Sequence, residues 1–383
     1  MTIMRTLTFM LSIFIVGMVE MVVAGIMNLM STDLNISEAW IGQLVTIYAF
    51  TFAITGPILV KLTEKYSPKY VLLYSIAFFV LGNLMIALSP NFTILIIERI
   101  LSSAAAALIV VKILAITVVL AKPENRGKML GLVYTGFSAA NVFGVPIGTL
   151  IGDWIGWRYT FGLIIVAGLL AGLLLTLYLP THLKMTYATE NTYSTRIRSK
   201  LEVSKLLSVT FIILTANSVA YIYINPLILS GGHDIKFVSL ALLIIGVAGM
   251  CGTSLGGFFT DKFSFKTWLT VSGSAFVVVM LLLNALWQTT ILLLIGLFVW
   301  HIIQWSTNPA VQSGLIDQVE GDHSQVMSWN MSALNAGIGF GAMLGGLIVS
   351  HIHLHATIYF AAGIGLIGFI IILSLKGKQA TMQ

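Results

Sequence analysis

Long apolar runs alternate with short polar segments along the whole of this 383-residue chain. A helix needs about 20 mostly apolar residues to cross a bilayer. Only helices and closed barrels satisfy their backbone hydrogen bonds in lipid, and continuous apolar runs are typical of helices rather than of barrel strands. We therefore predict twelve transmembrane helices, at 6–29, 39–61, 70–89, 93–121, 128–151, 158–180, 206–229, 237–260, 267–286, 289–315, 325–350 and 354–375.

Two of the polar segments have nearly the same sequence. Residues 63–69 and 260–266 are identical or similar at every position except one, where Pro68 stands opposite Phe265. They lie about half the chain length apart, and such a repeat is typical of two-halved secondary transporters. We predict an all-α membrane protein of twelve helices in two pseudo-symmetric six-helix halves. The halves are 1–180 and 206–383, and the basic polar stretch 181–205 is a cytoplasmic linker.

Composition and charge fix the class and the orientation. The chain is 58% hydrophobic and 9% charged, whereas soluble domains carry about 25% charged residues, so a soluble protein is excluded. Most of the 20 lysines and arginines fall on the side of the membrane that holds both termini. The positive-inside rule makes that side cytoplasmic. The first run contains Glu20 and lacks a small-residue cleavage site, so we interpret it as a span rather than a signal peptide.

Four stretches of sequence carry a family resemblance. Residues 19–57 hold an acid followed by Gly-Gln-Leu, Tyr-Ala and Gly-Pro; the others read GVPIGTLIGDWIGWRYTF (144–161), AYIYINP (220–226) and SALNAGIGFGAMLGG (332–346). The chain thereby resembles the major facilitator superfamily, in its twelve-span drug:proton antiporter group, and most of all the bacterial sugar-, drug- and purine-efflux permeases. The resemblance implies proton-driven export and a cavity lined by helices one, four, seven and ten.

The loop between helices two and three departs from the family pattern, Gly-x-Leu-Ala-Asp-Arg-x-Gly-Arg. Val60 replaces the glycine, and the second copy, with Gly257, is closer to the pattern. We expect loop charges to form salt bridges between helices on the cytoplasmic side and to stabilise an outward-open state; solvated loop charges are the alternative. The residues concerned are Glu64, Lys65, Arg126, Asp261 and Lys262.

Two charged residues inside the first half are candidates for proton coupling. An ionised carboxylate in lipid costs at least ~2.5 kcal/mol, so Glu20 in helix one should face the interior, where it could exchange protons near neutral pH. The resemblance implies that Glu20 is the proton-coupling site and that Arg99 is the family's helix-four arginine. The alternatives are a structural acid with a fixed partner and an arginine that extends to the interface. Glu98 is expected to lie close to water at the outer end of helix four.

Lys112 lies deep in helix four, where a lysine needs an acidic partner or an anionic ligand. We expect it either to pair with Glu20 or to bind a carboxylate or phosphate of the substrate. The alternative is that it extends to the cytoplasmic interface, about 15 Å away.

Helices seven and ten each carry a stripe of polar side chains at helical spacing. Amides and imidazole are unfavourable against lipid and favourable in a water-filled cavity, so we predict a substrate site; hydrogen bonds that only join helices are the alternative. His301 is also a candidate second proton carrier. The predicted substrate residues are Asn217, Tyr221, Asn225, His301, Gln304, Trp305 and Asn308, together with Lys112.

Small residues mark helices five and eleven. Gly144, Pro146 and Gly148 give helix five a small-residue stripe and a proline break, and Gly337, Gly341 and Gly345 repeat in helix eleven. For helix five we expect a pivot between the halves that also blocks proton leak, with ordinary close packing as the alternative.

The remaining motifs exclude several kinds of chemistry. His351, His353 and His355 alternate without a neighbouring acid or cysteine, and no nucleotide-binding loop or catalytic triad is present. We expect no enzyme activity, no metal site, no cofactor other than the proton gradient, and no nucleic acid partner. The single cysteine, Cys251, is interpreted as a small buried residue.

Together these features predict a monomeric, multi-pass, proton-coupled exporter in the lipid bilayer of a bacterial plasma membrane, with both termini cytoplasmic. Lys112 favours an anionic or zwitterionic small-molecule substrate, such as a metallophore-like metabolite. Multidrug, sugar or purine efflux is the main alternative. A non-transporting sensor or a lipid flippase on the same fold is more distant, and import is disfavoured by the helix-five pattern.

Overall fold

The computed structural model describes residues 2–122, 126–180, 196–287, 289–320 and 323–376, without the side chains of residues 126–128, 196 and 324. Within these ranges twelve helices are long and apolar enough to cross a membrane, as predicted. The chain divides into two compact units. Unit 1 comprises Met1–Thr189 and Ile235–Leu243, and unit 2 comprises Glu190–Asp234 and Ile244–Gln383. Of the predicted linker, residues 181–195 lie outside the described ranges, and a helix begins at Lys200.

Unit 1 is organised around its first helix. Its helices in the described ranges are α1 (Ile3–Leu34), α2 (Glu38–Leu62), α3 (Pro68–Ala87), α4 (Phe92–Leu120), α5 (Arg126–Ala139), α6 (Val145–Ile155) and α7 (Trp157–Tyr178). α1 packs against α2, α4, α5, α6 and α7, and most of its side chains are buried. A helix that is apolar on all sides suits this interior position, because none of its faces has to meet water.

The fifth span changes its helical geometry halfway. α5 passes into a π-helical turn at Ala140–Gly144, and α6 follows with Pro146 in its first turn. Pro146 has no N–H to donate and crowds the preceding turn, so a widened turn accommodates it. A Cβ atom at Gly148 would lie 2.7 Å from Val22 Cγ2 on α1. The stripe of Gly144, Pro146 and Gly148 therefore packs closely within unit 1, and its role as a pivot stays a prediction.

Two basic residues hold the end of α7. Arg5 Nε donates to the Tyr178 carbonyl (2.8 Å), and Lys69 Nζ donates to the carbonyls of Thr176 (2.8 Å) and Leu179 (2.7 Å). Carbonyls at a helix C-terminus have no intrahelical partners, and the helix dipole favours positive charge there. Arg5 and Lys69 therefore stabilise the end of the sixth span.

Unit 2 has a similar plan around α8. Its described elements are β1 (Arg196–Ile197), α8 (Lys200–Tyr221), α9 (Ile224–Ser230), most of α10 (Ile235–Phe263), α11 (Phe265–Leu283), α12 (Thr290–Asp317), β2 (Val319–Glu320), α13 (Ser324–His351) and α14 (Ala356–Leu373). α8 packs against α12, α13 and α14. The start of α10 belongs to unit 1, where Ser239 Oγ donates to the Pro146 carbonyl (2.9 Å). β1 and β2 form a short antiparallel pair that the sequence does not predict.

The seventh span is interrupted between α8 and α9, at Ile222 and Tyr223. The continuous helix predicted over 206–229 is therefore wrong at this point. Pro226 explains the interruption, because it lacks the N–H that a continuous helix would direct to the carbonyl of residue 222. Asn225 follows the break, so it does not continue the predicted polar face of α8.

The glycines of α13 bring its backbone against α8. A Cβ atom at Gly341 would lie 2.5 Å from the Thr215 carbonyl oxygen, and one at Gly337 would lie 2.6 Å from the Phe211 carbonyl oxygen. A side chain would not fit between the two backbones at this separation, so only glycine allows the contact. The small-residue stripe of the eleventh span is thus a helix-packing surface.

Candidate functional site

A buried acid and a buried arginine lie on two helices of unit 1 that pack together, α1 and α4. Glu20 lies in the middle of α1 with 8% of its surface exposed, and Arg99 lies on α4 with 1% exposed. Arg99 Nη1 donates to the carbonyl of Val19, the residue before Glu20 (3.2 Å). The structure thus brings both predicted proton-coupling residues into one interior region, and Arg99 does not extend to a membrane interface. Their role in coupling stays a prediction.

Two aromatic rings flank the Arg99 guanidinium. Its Cζ lies 5.6 Å from the ring centroid of Tyr48 on α2, and 5.6 Å from that of Phe161 on α7. Cation–π attraction to these rings offsets part of the cost of removing the guanidinium from water. Tyr48 also lies within electrostatic reach of Glu20. Three helices, α1, α2 and α7, therefore each contribute a contact to the arginine on α4.

Glu98 is the acid whose surroundings the sequence interpretation got wrong. It was expected close to water near the start of α4, but it is 0% exposed. α4 begins at Phe92, so Glu98 lies more than one turn inside the helix, and α2 and α3 pack against α4. Glu98 Oε2 is 3.5 Å from Arg99 Nε. The available signal was an acid directly before an arginine inside a long apolar run.

Lys112 is also buried, with 1% of its surface exposed, so it does not extend to an interface. It lies about 20 Å further along the α4 axis than Arg99. Among the ion pairs of the described residues, none joins Lys112 to Glu20. Pairing of Lys112 with Glu20 stays a prediction. Binding of an anionic substrate group by Lys112 stays a prediction.

In unit 2, predicted polar residues of α8 and α12 meet through an aromatic contact. Tyr221 on α8 and His301 on α12 have ring centroids 5.3 Å apart in an edge-to-face arrangement. Asn217 lies one turn before Tyr221 and Gln304 one turn after His301, and both are buried. We call these four side chains the α8–α12 polar cluster. They are the part of the predicted substrate site that the structure brings together.

The α8–α12 polar cluster contains hydrogen-bond acceptors that no group in the described part of the chain satisfies. His301 Nδ1 lies 3.0 Å from the Leu297 carbonyl oxygen. A carbonyl only accepts, so Nδ1 carries the proton in this contact and Nε2 is left as an acceptor. Among the described residues, His301 Nε2, Gln304 Oε1 and Asn217 Oδ1 have no hydrogen-bond partner. Buried acceptors without partners favour a ligand that donates hydrogen bonds.

Three other predicted substrate residues lie outside this cluster. Trp305 packs against α10, where a Cβ atom at Gly249 would lie 3.1 Å from the indole ring. Asn308 accepts a hydrogen bond from Gln312 Nε2 (3.3 Å) on its own helix. Asn225 is fully buried after the break in the seventh span. Their part in substrate binding stays a prediction.

Trp300 is a neighbour of the cluster that the sequence interpretation missed. Its ring centroid lies 4.4 Å from that of His301, and the side chain is fully buried. An indole packed against the imidazole restricts its rotation and so helps to fix where Nε2 points. A tryptophan in an apolar helix carries no sequence signal for such a role.

The loop charges predicted to form a gate are exposed. This holds for Glu64 and Lys65 in unit 1 and for Asp261 and Lys262 in unit 2. Lys262 Nζ lies over the rings of its own helix, 5.9 Å from the Phe258 centroid. Within the described ranges none of the four forms an ion pair. The side chain of Arg126 lies outside the described part of the chain, and the gate stays a prediction.

The histidines after α13 form hydrogen bonds to protein groups. His355 Nε2 lies 3.0 Å from Ser230 Oγ, and its Nδ1 lies 3.3 Å from Asn284 Oδ1. The described residues contain no group of three potential metal ligands at suitable separation. Cys251 is exposed on α10, which corrects the expectation that it is buried.

Twelve membrane-spanning helices with charged and neutral polar side chains in their interior are typical of a membrane transporter. Comparison with known proteins gives the family. The model of the Major Facilitator Superfamily matches residues 9–319 and 206–381, so the chain belongs to this superfamily of transporters.

Relatives and solved structures agree over nearly the whole chain. YbcL of Bacillus subtilis (strain 168), named an uncharacterized MFS-type transporter, is 31% identical over 373 residues, 96% of this chain and 95% of the relative. A Helicobacter pylori (strain P12) protein named a probable sugar efflux transporter is 29% identical over 367 residues, with 95% and 93% covered. The crystal structure of a D-xylose-proton symporter matches with a TM-score of 0.79 at 16% identity, covering 97% of each chain, and supports the twelve-helix fold.

Proposed function

We propose that this protein is a proton-coupled exporter that works by alternating access in a bacterial plasma membrane, with both termini in the cytoplasm. The observation that carries the proposal is a buried Glu20 within a transporter fold, next to the residue whose carbonyl binds the buried Arg99. A protein whose buried ion pair is replaced by well-packed apolar side chains is often as stable as before or more stable. Charged groups retained inside a membrane bundle therefore support a site that binds and releases a proton.

The coupling follows from the charge of Glu20. In its ionised form the carboxylate is attracted to the Arg99 cation, and this attraction favours one arrangement of α1 relative to α4. Protonation removes the attraction and favours another arrangement. A proton that binds on one side of the membrane and leaves on the other thus shifts the conformational equilibrium in each cycle. The proton gradient then supplies the free energy for export.

For the substrate we propose a small molecule rich in hydroxyl groups, such as a sugar. The unused acceptors of the α8–α12 polar cluster match hydroxyl donors. The Helicobacter pylori relative is named a probable sugar efflux transporter, which supports the same class. The second candidate is an anionic or zwitterionic metabolite, favoured by the buried cation Lys112.

Transport in proteoliposomes under an imposed pH gradient tests the proposal. The probes are radiolabelled neutral sugars (D-xylose, lactose and L-arabinose), citrate, adenine and tetraphenylphosphonium. We expect the gradient to drive transport of a neutral sugar by the wild type, and Glu20→Gln to reduce it to the level of protein-free vesicles. Asp153→Asn, at an exposed acid of α6, is the matched control and should retain transport.

The other outcomes separate the candidates. Gradient-driven citrate transport that is lost in Lys112→Gln would favour the anionic substrate. Transport that is the same with and without the gradient, or that persists under the gradient in Glu20→Gln, would contradict coupling through Glu20.

A further inference from the structure

Glu98 is a buried acid that has no role in the proposed coupling through Glu20. It is fully buried, and the Ser102 hydroxyl one turn further along α4 is the neutral group that acts on its carboxylate. Its nearest charged group is Arg99, whose Nε lies 3.5 Å from Glu98 Oε2. Buried carboxylates are retained only where something compensates them, so this arrangement needs a reason.

Arg99 lies between Glu98 and the Glu20 region. Its Nε lies 3.5 Å from Glu98 Oε2, while Nη1 donates to the carbonyl of Val19, next to Glu20. Tyr48 lies within electrostatic reach of Glu20, Arg99 and Glu98 together. One guanidinium thus lies 3.5 Å from the Glu98 carboxylate and bonds to the α1 backbone next to Glu20.

Few other charges act on this group. The titratable groups near it are Glu20 on α1, Tyr48 on α2 and Tyr134 on α5. Both tyrosines interact electrostatically with Glu20. α3 packs closely on α4 at Gly82, where a Cβ atom would lie 3.0 Å from Ser102 Cβ. The one charged residue of α3, Lys69, donates hydrogen bonds to carbonyls of the α7 end instead. Arg99 also meets Phe161 from α7, and the arginine of α7, Arg158, pairs with Asp33.

Charge balance determines how such a group can titrate. With one permanent cation and two carboxyl groups, the neutral state holds one proton. If Glu98 were absent, protonation of Glu20 would leave Arg99 as an uncompensated buried cation, which is strongly unfavourable. With Glu98 ionised, Arg99 keeps a partner when Glu20 binds its proton.

We propose that Glu98 is a positioning residue for proton binding: it neutralises Arg99 whenever Glu20 is protonated, so that Glu20 and Glu98 share one exchangeable proton. The inference deepens the proposed coupling at Glu20. It also explains why an acid lies next to Arg99 in the interior of α4. Glu98 acts on Glu20 through Arg99 and does not contact the substrate.

Infrared difference spectroscopy tests this without any substrate. The C=O stretch of protonated carboxyl groups is recorded against pH for the purified protein in lipid vesicles, and Glu20→Gln identifies the Glu20 contribution. In Glu98→Gln, Arg99 has only Glu20 as a counter-ion and holds it ionised. We expect the pH at which Glu20 is half protonated to fall by about one unit or more relative to the wild type.

Two further variants keep the test decisive. Glu98→Asp retains the charge but withdraws it from Arg99, so a smaller fall in the same direction is expected even if Glu98→Gln does not fold. Asp153→Asn, an exposed acid on α6, should leave the midpoint unchanged. An unchanged Glu20 midpoint in both Glu98 variants would overturn the proposal, because a purely structural acid would alter yield or stability without moving this midpoint.

The same variants distinguish this inference from the proposed function. If the wild type shows gradient-driven transport and Glu98→Gln keeps its pH profile, the inference fails while coupling through Glu20 stands. If the shared proton is observed by infrared spectroscopy but no gradient drives transport of any probe, the proposed function fails while the charge balance stands.

Discussion

The two units bury different kinds of polar chemistry in similar positions. The interior of unit 1 contains the charged residues Glu20, Glu98 and Arg99, whereas the α8–α12 polar cluster of unit 2 consists of amides, a phenol and an imidazole. A buried charge is costly and is useful where the charge has to change; neutral polar groups are cheaper to bury and suit hydrogen bonding to a ligand. The difference favours a division of labour, with proton chemistry in unit 1 and substrate recognition in unit 2.

The helix packing of the two units is more alike than their buried polar residues, but it differs at the glycine contacts. In each unit a glycine-rich helix packs against the central helix, α6 against α1 and α13 against α8. The α6 glycine Gly148 approaches side-chain atoms of Val22, while the α13 glycine Gly341 approaches the backbone of Thr215. Side chains can rotate away from an added methyl group more easily than a backbone carbonyl can move.

The largest effect is expected at the charged site. Glu20→Gln should abolish gradient-driven transport while leaving binding of the sugar probe in unit 2 within a few-fold of the wild type. Transport in proteoliposomes and equilibrium binding measure the two quantities. Loss of binding together with transport would break the division of labour between the units.

The framework comparison predicts a stability difference. Gly341→Ala places a methyl group against the Thr215 carbonyl, so we expect a loss of about 1–3 kcal/mol, and a smaller loss for Gly148→Ala. Thermal unfolding in detergent measures both. Gly363→Ala is the control, because a Cβ atom there meets nothing within 4 Å. A larger loss at Gly148 would show that the side chains around α6 are the less adaptable.

A more moderate effect is expected in the neutral site. His301→Ala removes the Nε2 acceptor, and one lost hydrogen bond of about 1 kcal/mol corresponds to a roughly five- to tenfold rise in the KM for the transported sugar. The pH profile of transport should stay that of the wild type. A displaced pH profile would instead make His301 a proton carrier and move part of the coupling into unit 2.

The smallest effect concerns His355, outside the membrane-spanning segments. Burial lowers the pKa of His355 below its ordinary value, and the charge of His353 adds to the shift. The unfolded chain therefore binds a proton more readily than the folded protein as the pH falls through about 6.5, so stability is full above this pH and decreases below it. His355→Gln should reduce the difference in unfolding temperature between pH 7.5 and pH 5.5. An unchanged difference would assign it to other groups.

The spans were predictable because their signal is local: a run of apolar residues of sufficient length requires only the sequence. The interruption at Ile222 and the π-helical turn before Pro146 were not, because each depends on how one proline is accommodated by its neighbours. The repeat indicated two halves, but it gave no reason to expect that their interiors would differ in charge.

The site residues show the same limit. Glu20 and Arg99 could be selected because a charge inside an apolar run is rare. For the burial of Glu98 the sequence offered only the position of this acid directly before Arg99 in an apolar run, since its distance from the start of α4 says nothing about which helices cover it. For Lys112, likewise, the sequence could not decide between Glu20 and other partners, because axial separation between helices appears only in three dimensions.

The π-helical turn at Ala140–Gly144 also restricts how the length of this chain can vary. Its i→i+5 hydrogen bonds enclose one residue more than a regular turn does. Gly136 before the turn and Gly148 after it both face α1. The two glycines are 12 residues apart, which in a regular helix would turn them about 120° from each other, whereas 11 residues would leave them about 20° apart. The extra residue of the π-helical turn lets both face α1, so deleting one residue within the turn should give a regular helix that keeps both contacts. A one-residue deletion within the π-helical turn should therefore be tolerated, whereas a further insertion in this span would direct Gly148 away from α1 and should be rejected.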